Sequence, residues 1–344
     1  MNVTIKSRRN QFANILGRLI HDANKKPMAY LGYATLCGLS VILLGGLFLP
    51  LDGIGAVWQN PEAICQNTST VVCTGFEEGN FNLWDDYDGN PSPWNLLVQN
   101  PGTLNYAPNH VSRMRVPSGR GQTDITKILP GTYDRLYARW YQMWEPGYDF
   151  NARNHGGGLH AGDRSLLGHS DFRPTGTDWF SGWVEPDDGR LNIYTYYRGM
   201  YQDCANPNGS CWGDRFPCMY SNLNYCEKPQ HRPTIMPPLL ETGRWYCIEM
   251  MIDAGTPTSS EAGANGQMNL WIDNVEYGPW TDLWFRTTSA LKLNIFWLNI
   301  FHHEAHSVEG IMQDNAVVST QRIGCLNDAP PSQVPSAPRN LRVQ

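Results

Sequence analysis

The stretch from Leu136 to Phe150, LYARWYQMWEPGYDF, decides the fold. Its first part alternates between an apolar set that includes Ala138 and Trp140 and a mixed set that includes Arg139 and Tyr141. A period of two, built from residues that favour extended backbone, predicts a β-strand that ends at the turn-forming sequence EPG. We expect Arg139 and Tyr141 to line a polar groove on the outer face of a β-sandwich, although an ordinary solvated sheet face fits the same pattern.

Strand-like segments recur along the chain after this one and before it, joined by glycine- and proline-rich turns. Helical periodicity is almost absent after residue 60. This organisation predicts an all-β fold of two packed antiparallel sheets, a sandwich or jelly roll. The predicted strands are His110–Val116, Arg135–Trp144, Trp179–Glu185, Leu191–Tyr197, Arg244–Ile252, Gln267–Ile272, Leu291–Ile300 and Ala316–Ile323.

An apolar segment without charged side chains, residues 28–51, precedes the β-rich part and is long enough to cross a bilayer as one helix. Lysine and arginine residues precede it, whereas Asp52 and Glu62 follow it. The positive-inside rule therefore predicts a cytoplasmic N terminus and a main domain in the periplasm or outside the cell. A cleaved signal peptide fits less well, because the segment before the apolar run is long and no A-x-A site follows. We expect a single-pass signal anchor.

Five regions follow from these patterns. Residues 1–27 form a cytoplasmic arm with a short amphipathic helix, because Phe12, Ile15, Leu16 and Leu19 recur at helical spacing. The other regions are the transmembrane helix (28–51), a linker (52–75), the exported β-sandwich domain (76–326) and a proline-rich tail (327–344).

Composition excludes one class of partner and leaves another open. The net charge is −6, charged residues make up 17% and no basic stripe is present, so we expect no nucleic-acid partner. The chain has 13 Trp and 16 Tyr residues. Tyrosine and tryptophan line sugar-binding grooves, but they also fill cores and protein interfaces, so composition does not separate these uses.

The cysteines predict disulfide bonds. Of nine cysteines, Cys37 lies in the predicted span and eight lie on the exported side. An even number in an oxidising compartment favours disulfides, and the spacing lacks the short pairs with nearby histidines that a metal site needs. The pairing stays open, although the cysteines between 204 and 226 should staple a local loop. The eight are Cys65, Cys73, Cys204, Cys211, Cys218, Cys226, Cys247 and Cys325.

Several segments together resemble the concanavalin A-like jelly roll of polysaccharide lyases. The resemblance covers about residues 76 to 324 and is more specific for the fold than for the activity. The segments are LYARWYQMWEPGYDF, GGGLHAG at 156–162, RPTGTDWFSGWVE followed by LNIYTYY, GRWYCIEMMID, MNLWIDN, WFRTTSALKLNIFWL and DNAVVSTQRIG.

The resemblance implies a reaction, the β-elimination of uronic-acid polymers. A cation or amide neutralises the sugar carboxylate, a base removes the C5 proton and an acid, often a tyrosine, protonates the leaving oxygen. The family pattern has a lysine in the glycine-rich loop, a Ser-x-Arg on the next strand and a Tyr-x-Tyr on the one after. Here these positions are Gly158, Ser181-x-Trp183 and Tyr194-x-Tyr196, so the motif is degenerate.

A substitute catalytic set can still be assembled if the chain is an active lyase. Arg139 or Arg173 would neutralise the carboxylate, and His160 would act as the base. Tyr194 or Tyr196 would act as the acid. The candidates are Arg139, Tyr141, His160, Arg173, Tyr194 and Tyr196, although the tyrosines also fit ordinary sheet-face aromatics.

We expect no required cofactor. Two groups of residues raise the question of a bound metal ion. His302 and His303 are adjacent, and neighbours on a strand point to opposite faces, so both cannot easily bind one ion; this favours a structural role at a loop edge. Glu77 and Asp314 resemble positions that hold a structural calcium in such sandwiches. Calcium takes several oxygen ligands, and two candidates do not complete a site.

We predict a non-catalytic accessory subunit of a larger membrane complex, which could be respiratory, photosynthetic or secretory. This prediction rests on the degenerate motif, on the cysteine-rich insertion at residues 204–226 and on the amphipathic helix, which adds a second membrane contact to the predicted span. The alternatives are a membrane-tethered polysaccharide lyase and a glycan-binding module for an acidic polysaccharide. Converging polar side chains in an open groove would favour the enzyme. A groove lined by exposed tryptophan without a base would favour the binding module, and a groove filled by the 204–226 loop or a neighbouring chain would favour the subunit.

Overall fold

A computed structural model of the chain describes residues 63–87, 94–99, 110–151, 154–201, 212–218 and 235–326. The predicted cytoplasmic arm, membrane span and proline-rich tail lie outside these residues, and so does the first part of the linker. No helix among the described residues has the length and apolar character needed to cross a membrane. The anchor therefore stays a prediction.

Nine of the described strands form an antiparallel sheet, sheet A. They are β1 (Thr70–Thr74), β3 (Asn95–Gln99), β4 (His110–Val116), β6 (Arg135–Trp144), β12 (Trp245–Asp253), β13 (Gly266–Ile272), β14 (Val275–Glu276), β15 (Trp280–Leu283) and β17 (Glu309–Ser319). The order across the sheet is β14-β13-β12-β6-β17-β4-β3, with β1 beside β17 and β15 beside β13.

Eight further strands form a second antiparallel sheet, sheet B. They are β2 (Asp86–Tyr87), β5 (Gly119–Tyr133), β7 (Asn154–His155), β8 (Gly158–Gly162), β9 (Trp179–Asp187), β10 (Arg190–Tyr196), β11 (Asp214–Phe216) and β16 (Leu293–Ala305). The order is β11-β10-β9-β8-β16-β5-β2, with β7 beside β16. The helical segments of the described chain are short 3₁₀ turns at Ala63–Gln66, Arg164–Leu166 and Glu261–Gly263.

The alternation in β6 builds the core between the sheets. Leu136, Ala138 and Trp140 are buried in one large apolar cluster. The ring of Trp140 lies 6.2 Å from that of Phe296 on β16, so the two sheets pack face to face. The predicted all-β sandwich of two antiparallel sheets is confirmed.

The outer face of β6 differs from the expected polar groove. Arg139 is completely buried and donates a hydrogen bond to the carbonyl oxygen of Asn315 at 2.8 Å. The hydroxyl of Tyr141 accepts a hydrogen bond from the backbone N–H of Leu326 at 2.7 Å. The carboxylate of Glu249 on β12 accepts two more from the backbone of residues 323 and 324. The chain's own segment 320–326 therefore covers this face, because it supplies the backbone donors that the buried polar groups need.

The described residues contain two complete disulfides. Cys65 is bonded to Cys73, and Cys247 on β12 is bonded to Cys325 in the segment that covers sheet A. Cys218 is also disulfide-bonded. The prediction of disulfides is confirmed for these five residues, while Cys204, Cys211 and Cys226 lie outside the described residues.

Candidate active site

The outer face of sheet B, which points away from sheet A, carries the three central candidates. His160 on β8 lies directly opposite Ser181 on β9, which in turn lies opposite Tyr196 on β10. Tyr194 lies opposite Trp183 in the same ladder. Direct partners in an antiparallel ladder point to the same face, so the structure brings all of these side chains together.

The other candidates do not join this group. Arg139 and Tyr141 lie on the outer face of sheet A, and the whole core separates them from the outer face of sheet B. Arg173 lies in the loop between β8 and β9, where it is half-buried and contributes positive charge near Tyr197. Sequence periodicity placed Arg139 and Tyr141 on an outer face correctly, but it could not say of which sheet.

His160 is buried on the outer face of sheet B, and hydrogen bonds hold both of its ring nitrogens. Its Nε2 lies 3.2 Å from the carbonyl oxygen of Asp163, and its Nδ1 lies 2.5 Å from Oγ of Ser181. Because a carbonyl can only accept, Nε2 carries the hydrogen and Nδ1 accepts from the serine hydroxyl. The side chain is 0% exposed, and burial lowers the pKa of His160 to about 4. His160 is thus a neutral imidazole whose two nitrogens are both engaged.

Tyr194 and Tyr196 are buried, and their hydroxyl groups are hydrogen-bonded to each other. Their oxygens lie 3.1 Å apart, and the backbone N–H of Gly213 donates to the Tyr194 oxygen at 2.8 Å. Burial raises the pKa of Tyr196 to about 12 and that of Tyr194 well above its usual range. Both residues therefore keep their protons, and the described end of the cysteine-rich insertion covers Tyr194.

A second group lies toward the C-terminal end of β9 and is more open. Nδ1 of His155 lies 2.5 Å from Oε2 of Glu185, and Nε2 of His155 lies 3.2 Å from Nε2 of His303. The carboxylate of Glu185 is completely buried, whereas the side chain of His155 is 24% exposed. An ionised carboxylate only accepts, so it holds the hydrogen of His155 on Nδ1 and leaves a lone pair on Nε2.

Glu185 is ionised despite its burial. Burial alone would raise the pKa of Glu185, but His155 and Arg215, together with the indole N–H of Trp183, outweigh it and hold the pKa below its usual value. The guanidinium of Arg215 lies 3.2 Å from Oε1, and the Trp183 indole donates to Oε2 at 2.8 Å. The carboxylate thus has a partner on each oxygen, as a buried charge requires.

Aromatic rings and a second arginine surround His155. Its imidazole stacks on the rings of Tyr194 and Phe301, with distances between ring centroids of 5.5 and 5.4 Å. The guanidinium carbon of Arg120, an exposed residue of β5, lies 5.5 Å from the centre of the Phe301 ring. We call the set formed by His155, Glu185, His303, Arg215 and Arg120 the Glu185–His155 site.

Sequence reasoning missed most of this site. Glu185 could have been found, because it follows Ser181 and Trp183 at a period of two and so shares their face. His303 was considered only with its neighbour His302, and the structure confirms that the two point to opposite faces. His302 packs its ring edge against Tyr148 on the inner side. Arg215 lies in the cysteine-rich insertion, where no sequence signal pointed to it.

The glycine-rich loop has no room for the lysine of the family pattern. A Cβ atom on Gly158 would collide with the carbonyl oxygen of Gly182 and the Cα of Trp183. A Cβ on Gly157 would likewise collide with the backbone of Trp297. These glycines allow the backbone to approach its neighbours closely, which any side chain would prevent.

The two calcium candidates have protein partners of their own. Glu77 accepts a hydrogen bond from the backbone N–H of His110 at 3.2 Å, and Asp314 is completely buried and accepts one from Asn315 at 2.7 Å. Across the described ranges, no group of three or more His, Cys, Asp or Glu side chains is arranged to hold a metal ion. Calcium at these residues stays a prediction.

No protein-family model matches the chain, and no curated protein matches it. Among solved structures, it is similar to alginate lyase vAL-1 from Chlorella virus, with a TM-score of 0.52, 15% identity, and coverage of 74% of this chain and 99% of that one. The fold is that of jelly-roll polysaccharide lyases. The PL-14 alginate lyase of Aplysia kurodai (TM-score 0.47, 13% identity, 74% and 97% covered) is also similar. The endo-β-1,4-glucuronan lyase of the fungus Trichoderma reesei is similar too, with a TM-score of 0.45, 12% identity, and coverage of 70% of this chain and 92% of that one.

Proposed function

We propose that this protein is a polysaccharide lyase that cleaves uronic-acid polymers by β-elimination at the Glu185–His155 site. One observation carries the proposal: the buried carboxylate of Glu185 lies 2.5 Å from Nδ1 of His155, which leaves the Nε2 lone pair at the outer face of sheet B. An imidazole oriented by a buried carboxylate is suited to general-base catalysis, because the carboxylate stabilises the imidazolium that forms.

The reaction can be written with these residues. Nε2 of His155 takes the proton from C5 of the uronate, the electron pair forms the C4–C5 double bond, and the bond from C4 to the glycosidic oxygen breaks. The leaving oxygen needs a proton. His303 is the donor in this scheme, because its Nε2 lies 3.2 Å from that of His155 and the hydrogen between them belongs to His303. When that hydrogen passes to the leaving oxygen, the lone pair of His155 becomes free for the C5 proton.

A positive charge beside the substrate carboxylate makes the C5 proton more acidic. Arg215 is bound to Glu185 and Asp187, at 3.2 and 3.6 Å, so its charge is largely used within the site. Arg120 is exposed beside Phe301 and is the cation that we assign to the uronate carboxylate.

This proposal takes up the alternative of the sequence analysis rather than its main prediction. The accessory-subunit prediction has no support among the described contacts or the comparisons, whereas a general base on the outer face supports an enzyme. We further propose that the predicted anchor holds the domain at the outer surface of a membrane, where acidic polysaccharides are accessible.

The test uses the full-length protein in detergent, incubated with polymannuronate, polyguluronate and polyglucuronate. Formation of the unsaturated uronate is followed by its ultraviolet absorbance. We expect product from at least one polymer and a loss of about 10²- to 10⁴-fold in His155→Ala. The exposed His306 provides a matched control, since His306→Ala should retain full activity. Absence of product with all three polymers, or full activity of His155→Ala, would overturn the proposal; polymer binding without product would support a glycan-binding module.

A further inference from the structure

We propose that His155 and His303 form a binding site for a transition-metal ion, with Zn²⁺ as the probe, and that the ion switches off the proposed lyase. Metal binding rests only on the geometry of the two imidazoles. The inhibition rests on the proposed function, because it requires His155 to be the base.

The two imidazoles have the separation that a shared tetrahedral ion imposes. Their Nε2 atoms lie 3.2 Å apart, and their ring centroids lie 5.2 Å apart. Two nitrogens bound to tetrahedral zinc lie about 3.3 Å apart, and with a ring radius of about 1.15 Å the centroids lie about 5.2 Å apart.

The surroundings of His155 prepare its nitrogen for a metal. Glu185 accepts the Nδ1 hydrogen, so Nε2 presents its lone pair, and metal-binding histidines usually have such a carboxylate partner on the other ring nitrogen.

The chemistry of the donors selects the class of ion. Imidazole nitrogens suit Zn²⁺, Cu²⁺ and Ni²⁺, whereas Ca²⁺ and Mg²⁺ take oxygen ligands. The described chain supplies two protein ligands, and the side chain of His155 is 24% exposed, so the ion keeps positions for solvent or a substrate oxygen.

Occupancy would block catalysis directly. A metal ion on Nε2 of both histidines would require the shared hydrogen to move to Nδ1 of His303, so His155 could no longer accept the C5 proton and His303 could no longer donate one from Nε2. Sequence reasoning considered His303 only with its neighbour His302, because the two ligands proposed here are 148 positions apart and come from β7 and β16.

The experiment is a calorimetric titration of the full-length, untagged protein in detergent with zinc chloride at neutral pH. We expect binding of an ion whose affinity falls tenfold or more in both His155→Ala and His303→Ala. Glu185→Gln should weaken it about 10- to 100-fold, since outer partners of metal-bound histidines have effects of this size. His306→Ala is the matched control and should bind as the wild type does. Thermal unfolding shows which variants are folded, and His303→Gln replaces His303→Ala if the latter is not.

The outcomes separate this proposal from the preceding one. Zinc binding that depends on both histidines supports the site even if no polymer is cleaved. Absence of binding, or equal binding by the wild type and both histidine variants, overturns the site and leaves the lyase proposal intact. If the lyase is active, zinc that binds at these histidines without inhibiting it would overturn the switch.

Discussion

Arg215 lies directly opposite Tyr194 in the ladder between β10 and β11, and its guanidinium carbon is 4.9 Å from the centre of the tyrosine ring. On the other side of Tyr194 lies Trp183, at the position where the resemblance to polysaccharide lyases implies an arginine. Strand β11 belongs to the cysteine-rich insertion and lies two strands from β9, which carries Trp183. Its Arg215 thus places a cation on the same face of the sheet. The insertion contributes to the charge of the site and does not only cover it.

Replacement of Arg215 by methionine should therefore affect both activity and stability. Glu185 would keep His155 and Trp183 but lose its guanidinium partner, which should lower the free energy of unfolding by about 1–3 kcal/mol. The lyase rate should fall because burial then raises the pKa of Glu185, and a protonated carboxyl orients and stabilises His155 less well than a carboxylate. Denaturant unfolding and the initial rate of product formation measure the two effects. Arg215→Lys should recover part of each, and an Arg215→Met variant equal to the wild type in both would contradict this role.

Replacement of Arg139 by methionine should give a different result. The variant loses the hydrogen bond to Asn315 and one of the two positive charges near the buried Glu249, while Arg322 remains 3.9 Å from its carboxylate, so the free energy of unfolding should fall by about 1–3 kcal/mol. Activity per folded molecule should be unchanged, because Arg139 lies on the outer face of the other sheet. Circular dichroism and an activity assay below the unfolding transition separate the two quantities. A large loss of activity in the folded variant would show that Arg139 does contribute to the reaction.

Placing at Gly158 the lysine that the resemblance to polysaccharide lyases implies should not create a lyase motif. A Cβ at this position meets the backbone of Gly182 and Trp183, so Gly158→Lys should cost about 1–3 kcal/mol or more in unfolding free energy without raising activity. Gln122→Lys introduces the same side chain at an exposed position of the same sheet face and serves as the control. It should change stability by less than about 0.5 kcal/mol. A stable, more active Gly158→Lys protein would refute the steric argument.

His160 should make stability depend on pH. Burial lowers its pKa to about 4 in the folded protein, from 6.5 in the unfolded chain. Between these values the unfolded chain binds more protons, so this contribution is fully present above pH 6.5 and is lost as the pH falls toward 4. The loss from His160 between pH 7 and pH 5 should be about 2 kcal/mol. Denaturant unfolding at both pH values measures it, and His160→Gln, which cannot titrate there, should lose less stability than the wild type by this amount. An equal loss in both proteins would contradict the assignment.

The strands that the sequence predicted best are those with a clear period of two. The bounds of β4 and β6 agree with the prediction at both ends, and β9, β10, β12 and β13 agree within two residues. The long strand β5 was not predicted, because its glycines and Pro130 are typical of turns. The last strand runs from Glu309 to Ser319, earlier than predicted, because the stretch after Ser319 crosses the outer face of sheet A instead of pairing in it.

The sequence by itself predicted the two-layer β-sandwich, the face of β6 that packs between the sheets and the disulfide bonding of the five cysteines that the structure describes. The face of β6 follows from a local property, the period of two along the strand. Only the tertiary structure decided which strands are neighbours. That choice put Arg139 on one sheet and the other candidates on the second, and it brought His155, Glu185 and His303 together from three strands. Strand order depends on contacts between residues far apart in the chain, and a repeating pattern along one strand carries no information about its neighbours.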